Sequence, residues 1–113
     1  MRRAFAWIQL GANFGAPRQP NELHTEDDAL DAWAVRSLAK EAIGVDHRAQ
    51  RGSLPRAEAA TLHRGGARYA ALLCGSDVFH STADRWPEAV DVATLARYTR
   101  ALSRGVLELA RQT

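Results

Sequence analysis

The sequence predicts an α/β protein, a layered sandwich in which a small, mainly parallel sheet is covered by helices. Three observations carry that expectation. Two short apolar runs, AFAWIQL (4–10) and ARYAALLC (67–74), have the length of buried strands, and each ends at a glycine. Between and after them, apolar residues recur at helical spacing. Two buried strands separated by helices argue for layers with parallel pairing.

The elements follow in order. After Gly11, GANFGAPRQPNELH reads as an extended loop, because Pro17 and Pro20 continue neither a ladder nor a helix. Thr25 offers an N-cap, and Glu26, Asp27 and Asp28 fill a first turn, where carboxylates favour the helix dipole and the free N–H groups. Leu30, Trp33, Ala34, Leu38, Ala42 and Ile43 keep helical spacing and Gly44 supplies a stop, so a helix is predicted over 26–43. VDHRAQRGS reads as loop or a short edge strand. LPRAEAATLHR reads as a shorter helix, with Pro55 in its first turn and Gly65-Gly66 ending it. The second strand ends at Gly75, and a loop runs from there to Asp91, the start of the last helix. Val90 and Leu95 form a hydrophobic staple around that start. Val92, Leu95, Thr99, Leu102, Val106 and Leu109 continue the apolar stripe.

At 113 residues the chain is one domain, or part of one, large enough for a single core. All but one of its fifteen basic residues are arginine, dispersed among acids, and a net charge of +2 is too small to argue for nucleic acid. No apolar run approaches 18 residues, so no transmembrane helix is expected. The single Cys74 excludes an intrachain disulfide. The paired Arg2 and Arg3 precede an apolar run that is short and interrupted by Gln9, which reads as a strand rather than an export signal. That leaves the compartment open, with a lean towards the cytoplasm.

Chemistry concentrates in DVFHSTADRWPEAVD (77–91). A catalytic zinc takes three protein ligands and keeps one open position. His80 is the candidate metal ligand, with Asp77 and Asp84 in the same loop; Asp84, four residues on, is placed to orient the ring through its second nitrogen. The bland alternative is a polar loop residue beside a turn-capping aspartate. Both Gly11–Asn13 and Gly75–His80 follow strands, and ligands of open α/β sheets collect at the carboxyl ends of strands. Asp27 and Asp31 share a helix face, as two-metal nuclease carboxylates do, but the first strand lacks the acidic partner such a site needs. His24, His47 and His63 show no i,i+4 pairing. Cys74 and Trp33 read as core, and Gln9 and Asn13 as strand-end residues that bind a ligand or satisfy a turn.

FHSTADRWPEAVDVATLARYTRALSRGVLELA resembles the C-terminal end of the zinc aminopeptidase family with two co-catalytic metals, whose loop reads His-Thr-x-x-Asp before an acidic helix start. PRAEAATLHRGGARYAALLCG is similar to that family's helix, turn and strand before the last ligand loop, and FAWIQLGANFGA to its preceding core strand. The similarity spans nearly the whole chain, and the 79–91 motif is its most specific part. The resemblance implies a zinc-exopeptidase fold, peptide N-termini as substrate, zinc as cofactor with His80 as ligand, a supporting hydrogen bond from Asp84, and Glu58 as a possible site-facing acid. It also implies ligands this sequence lacks. The family's core strand ends in a ligating Asp where Gly11 stands, and its other ligands and general base lie upstream. The expected chain is therefore catalytically incomplete by itself. The alternative is a non-catalytic binding or assembly module, in which an exposed edge strand and an apolar helix face are covered by oligomerisation.

Overall fold

The structure is a computed structural model that describes residues 4–112; the arginine pair at positions 2 and 3 lies outside the described residues. Its elements are β1 (Trp7–Leu10), β2 (Asn21–Thr25), α1 (Asp28–Ala39), β3 (His47–Arg48), α2 (Ala59–Arg64), β4 (Tyr69–Cys74) and α3 (Val92–Ala110). They build one four-stranded sheet in the order β1-β4-β2-β3.

The α/β class is as expected; the pairing is mixed rather than simply parallel. β1 runs parallel to β4, in register from Trp7 with Tyr69 to Leu10 with Leu72. β2 lies antiparallel to β4, however, with Asn21 opposite Cys74 and Thr25 opposite Ala70. This strand occupies the stretch predicted as extended loop. It escapes apolar alternation because Asn21, His24 and Thr25 are buried polar residues, two of them satisfied by distant partners. Asn21 exchanges hydrogen bonds with Asp46, its N–H donating to Oδ2 (2.8 Å) while its Oδ1 accepts from the Asp46 N–H (2.9 Å). Its Nδ2 donates to the Gly44 carbonyl and the Tyr98 hydroxyl. The Thr25 hydroxyl donates to the Tyr69 carbonyl at 2.6 Å.

Helix ends are shifted too. The cap of α1 is Asp27, not Thr25, with its Oδ1 accepting from the Leu30 N–H at 2.8 Å. The helix ends at Ala39, and Ala42 takes a left-handed φ of 55° before Gly44 is reached. α2 begins at Ala59 rather than near Pro55, because Ala57 at φ 51° breaks any helical path from Leu54. Asp91 caps α3 as expected, accepting from the Ala93 N–H.

The sheet carries helices on both faces. Leu23, Ala70, Leu72 and Cys74 point to one side and pack with Leu30, Trp33 and Leu38 of α1 and Tyr98, Ala101 and Leu102 of α3. Tyr69 and Ala71 point to the other side, against Ala59 and Leu62 of α2. α1 and α3 meet closely at Gly105, whose carbonyl accepts from Trp33 Nε1 at 2.8 Å. A Cβ there would lie 2.5 Å from Ser37 Oγ, so only glycine permits the crossing, despite a cost of about 1 kcal/mol against alanine in a helix.

Candidate functional site

The two loops that follow the parallel pair β1 and β4 lie side by side. Between them and the residues leading into α2 is a cavity of about 350 Å³, lined among others by Gln9, Asn13, Arg56, Leu73, Ser76 and Phe79. Backbone hydrogen bonds pin its walls: the Cys74 N–H donates to the Ala12 carbonyl (3.1 Å) and the Gly75 N–H to the Pro20 carbonyl (3.0 Å). Asn13 adds a side-chain tie, donating through Nδ2 to the Cys74 carbonyl at 3.2 Å. Gly11 lets the strands close up here, since a Cβ on it would meet Leu73 Cβ at 2.7 Å. The residue that stands where the resembling family has a ligating aspartate is thus a packing requirement. Asn13 (φ 70°), Ala57 (φ 51°) and His80 (φ 63°) hold left-handed conformations in or beside this crevice, where non-glycine backbone is sparsely populated.

The candidate residues His80, Asp84, Asp77 and Glu58 are not among those lining this crevice, and they do not converge. His80 is exposed and its ring stacks on Phe79, 3.9 Å between centroids. Asp84 is exposed, and its N–H donates to the Ser81 carbonyl. Asp77 Oδ2 accepts from Gln19 Nε2 at 2.9 Å. Glu58, just before α2, accepts from Gln9 Nε2 at 3.4 Å on the rim. Among the described residues no group of three or more His, Cys, Asp and Glu side chains is placed to hold a metal ion. These donors do not by themselves fit a zinc centre, which needs three protein ligands. The Cys74 thiol is buried, and burial pushes its pKa up, so it is held as the neutral core thiol expected from the sequence.

A second feature lies on the opposite sheet face. β1 is an edge strand bonded to β4 through its odd residues: the Trp7 N–H reaches the Arg68 carbonyl (2.9 Å) and the Gly11 N–H the Leu72 carbonyl (2.7 Å). In such a ladder the backbone groups of Ile8 and Leu10 point away from β4 to the open edge. Beside that edge, α3 leaves an apolar groove of about 540 Å³, lined by Leu10, Phe14, Leu95, Leu102, Val106 and Leu107 among others. A smaller cavity of about 260 Å³ continues it towards the start of β1, between Phe5, Ile8, Val106 and Leu109. Among the described residues neither is lined by a charged one. Leu10, Leu95, Val106 and Leu107 are all more than 40% exposed, a contiguous apolar surface of the kind that marks interaction sites. The sequence stripe on α3 signalled the helix; the fold shows which part of it stays uncovered, beside the β1 edge.

Comparison with protein-family models, curated proteins and solved structures finds no match, so the aminopeptidase resemblance rests on the residues that carry it. Among the described residues no helix is long and apolar enough to cross a membrane.

Proposed function

We propose that this domain is a non-catalytic assembly module that binds a second copy of itself through β1 and the α3 groove. The observation that carries this reading is the coincidence of an uncharged open strand edge with an uncharged apolar groove. Outward N–H and C=O groups at Ile8 and Leu10 call for another strand, and a two-fold axis through the edge supplies one, since β1 meets its copy antiparallel. The sheet then continues into the neighbour, with both α3 helices on the same face. The groove meets its own image without opposing like charges, because none of the residues lining it is charged.

Sedimentation of the native chain over a concentration series tests this, beside the double variant Val106→Glu, Leu107→Glu. Both residues are exposed, 44% and 57%, so the variant should fold and melt as the native chain does. The native chain is expected to dimerise and the variant to dissociate at least about tenfold more readily, because unpaired charges would be buried at the contact. A native chain that stays monomeric, or a variant that dimerises equally well, overturns the reading.

A further inference from the structure

We infer that the crevice at the carboxyl ends of β1 and β4 binds a small organic carboxylate with a flat apolar body, its acid group on Arg56. The crevice lies on the α2 face, so this inference is independent of the assembly surface. Its volume, about 350 Å³, falls within the range of about 300–1,000 Å³ typical of small-molecule sites. Arg56 is the one charged residue that lines it.

The state of that arginine is informative. Arg36, Arg48, Arg51, Arg68 and Arg100 each pair with a carboxylate, and Arg97 holds the carbonyls of Glu41 and Ala42. Arg56, like Arg18, Arg64, Arg85 and Arg111, has no ion pair among the described residues; what sets it apart is that it lines the crevice. Of the nearby acids, Glu58 accepts from the crevice-lining Gln9 at 3.4 Å, and Asp77 accepts from Gln19. A guanidinium without a partner offers a planar fork of donors that matches a carboxylate. The rest of the wall is suited to an apolar body. Ala12, Ala57 and Leu73 line it, and Phe79, half exposed, stands at its edge with the His80 ring stacked behind. A flat ring can lie against such a surface. The walls are held before any ligand arrives, by the bonds from Cys74 to Ala12, Asn13 to Cys74 and Gly75 to Pro20, so little ordering accompanies binding. Two considerations favour a single negative charge over a phosphate dianion: among the described residues Arg56 alone of those lining the crevice is charged, and Glu58 stands on its rim.

Amide-resolved NMR titration of the native chain with phenylacetate, phenylacetamide and phenyl phosphate decides the matter, beside Arg56→Gln and Phe79→Ala. Both side chains are exposed, and unchanged spectra away from the loops would show that the variants fold. Phenylacetate is expected to shift the amides of Gly11, Asn13, Gly75 and Ser76. Arg56→Gln should weaken it at least about tenfold, the value of a hydrogen bond to a charged group. Phenylacetamide should bind the native chain no better than phenylacetate binds that variant. Phe79→Ala should weaken all three probes alike. Absence of shifts at millimolar phenylacetate, an unaffected Arg56→Gln, or shifts centred on α3 would each overturn the site. Tighter binding of phenyl phosphate would overturn the choice of a carboxylate.

Discussion

The two edges of the sheet are managed in opposite ways. β3 closes one edge with only two residues, His47 and Arg48, both exposed. Arg48 is clamped through two bonds to Asp31 of α1, at 2.9 and 3.2 Å. The chain beyond is held as well, with Arg51 on Asp28 and the Gly52 N–H on the Glu26 carboxylate. Shortness and charge are the usual protections of an edge against pairing. β1, at the other side, is longer and uncharged, and it lies beside apolar surface that α3 does not cover. Within one sheet, then, one edge is held by ion pairs to its own helix and the other lies open beside apolar surface. The contrast argues that the exposure of β1 has a use.

That contrast can be broken or sharpened in several ways. The largest effect is expected from Trp33→Ala, which removes the bond to the Gly105 carbonyl and empties the crossing that seats α3. Such a truncation costs about 3–5 kcal/mol, and loss of the groove wall should abolish dimer formation together with stability. Urea unfolding beside sedimentation would show whether the two losses coincide. A smaller effect is expected at Asp27, which caps α1 and bonds Arg68 at 2.7 Å beside β4. Asp27→Ala should cost about 1 kcal/mol, within the range for lost N-caps, without altering dimer affinity. Arg68 chiefly holds the Asp27 carboxyl below the ordinary carboxylate value. Its contribution is therefore complete above the unfolded value, near pH ~3.9, and fades as pH falls through the lower folded one. Stability measured across that acid range should fall less steeply in the variant; an identical slope would show that the pair is not the source. The smallest effect is expected from Arg48→Ala. An exposed ion pair is worth about 0–1 kcal/mol, and a two-residue strand offers too short a ladder to recruit another chain. Light scattering should detect no new association; growth of higher species would mean that the Arg48 charge, rather than shortness, protects that edge.

The parts of the fold legible in the sequence were those driven by apolar pattern. AFAWIQL and YAALLC announce their strands, Asp91 announces α3, and the stripe through Leu30, Trp33 and Leu38 announces α1. β2 was hidden because Asn21, His24 and Thr25 are buried polar residues, and Asn21 and Thr25 are satisfied by partners remote in the chain, namely Asp46, Tyr98 and Tyr69, which no local period reports. With β2 unseen, the sheet read as mainly parallel, and which strand would form its open edge was not specified. Site legibility follows the same division. The loops after the two strands do border a crevice, as strand ends in α/β sheets lead one to expect. Arg56 gave no signal, since only the fold brings it beside the ends of β1 and β4.

The register of β1 has one further consequence, for how the chain reaches its native state. Trp7 pairs with Tyr69 and Leu10 with Leu72, so two strands far apart in the sequence are matched to each other. Contacts between such distant segments form slowly, and an unpaired strand is open to other chains while it waits. On a ribosome, β1 would emerge and stay unmatched until β4 had been synthesised. Two nascent chains close together could therefore meet through β1 before either had completed its own sheet, and dimerisation through that strand would then begin during synthesis.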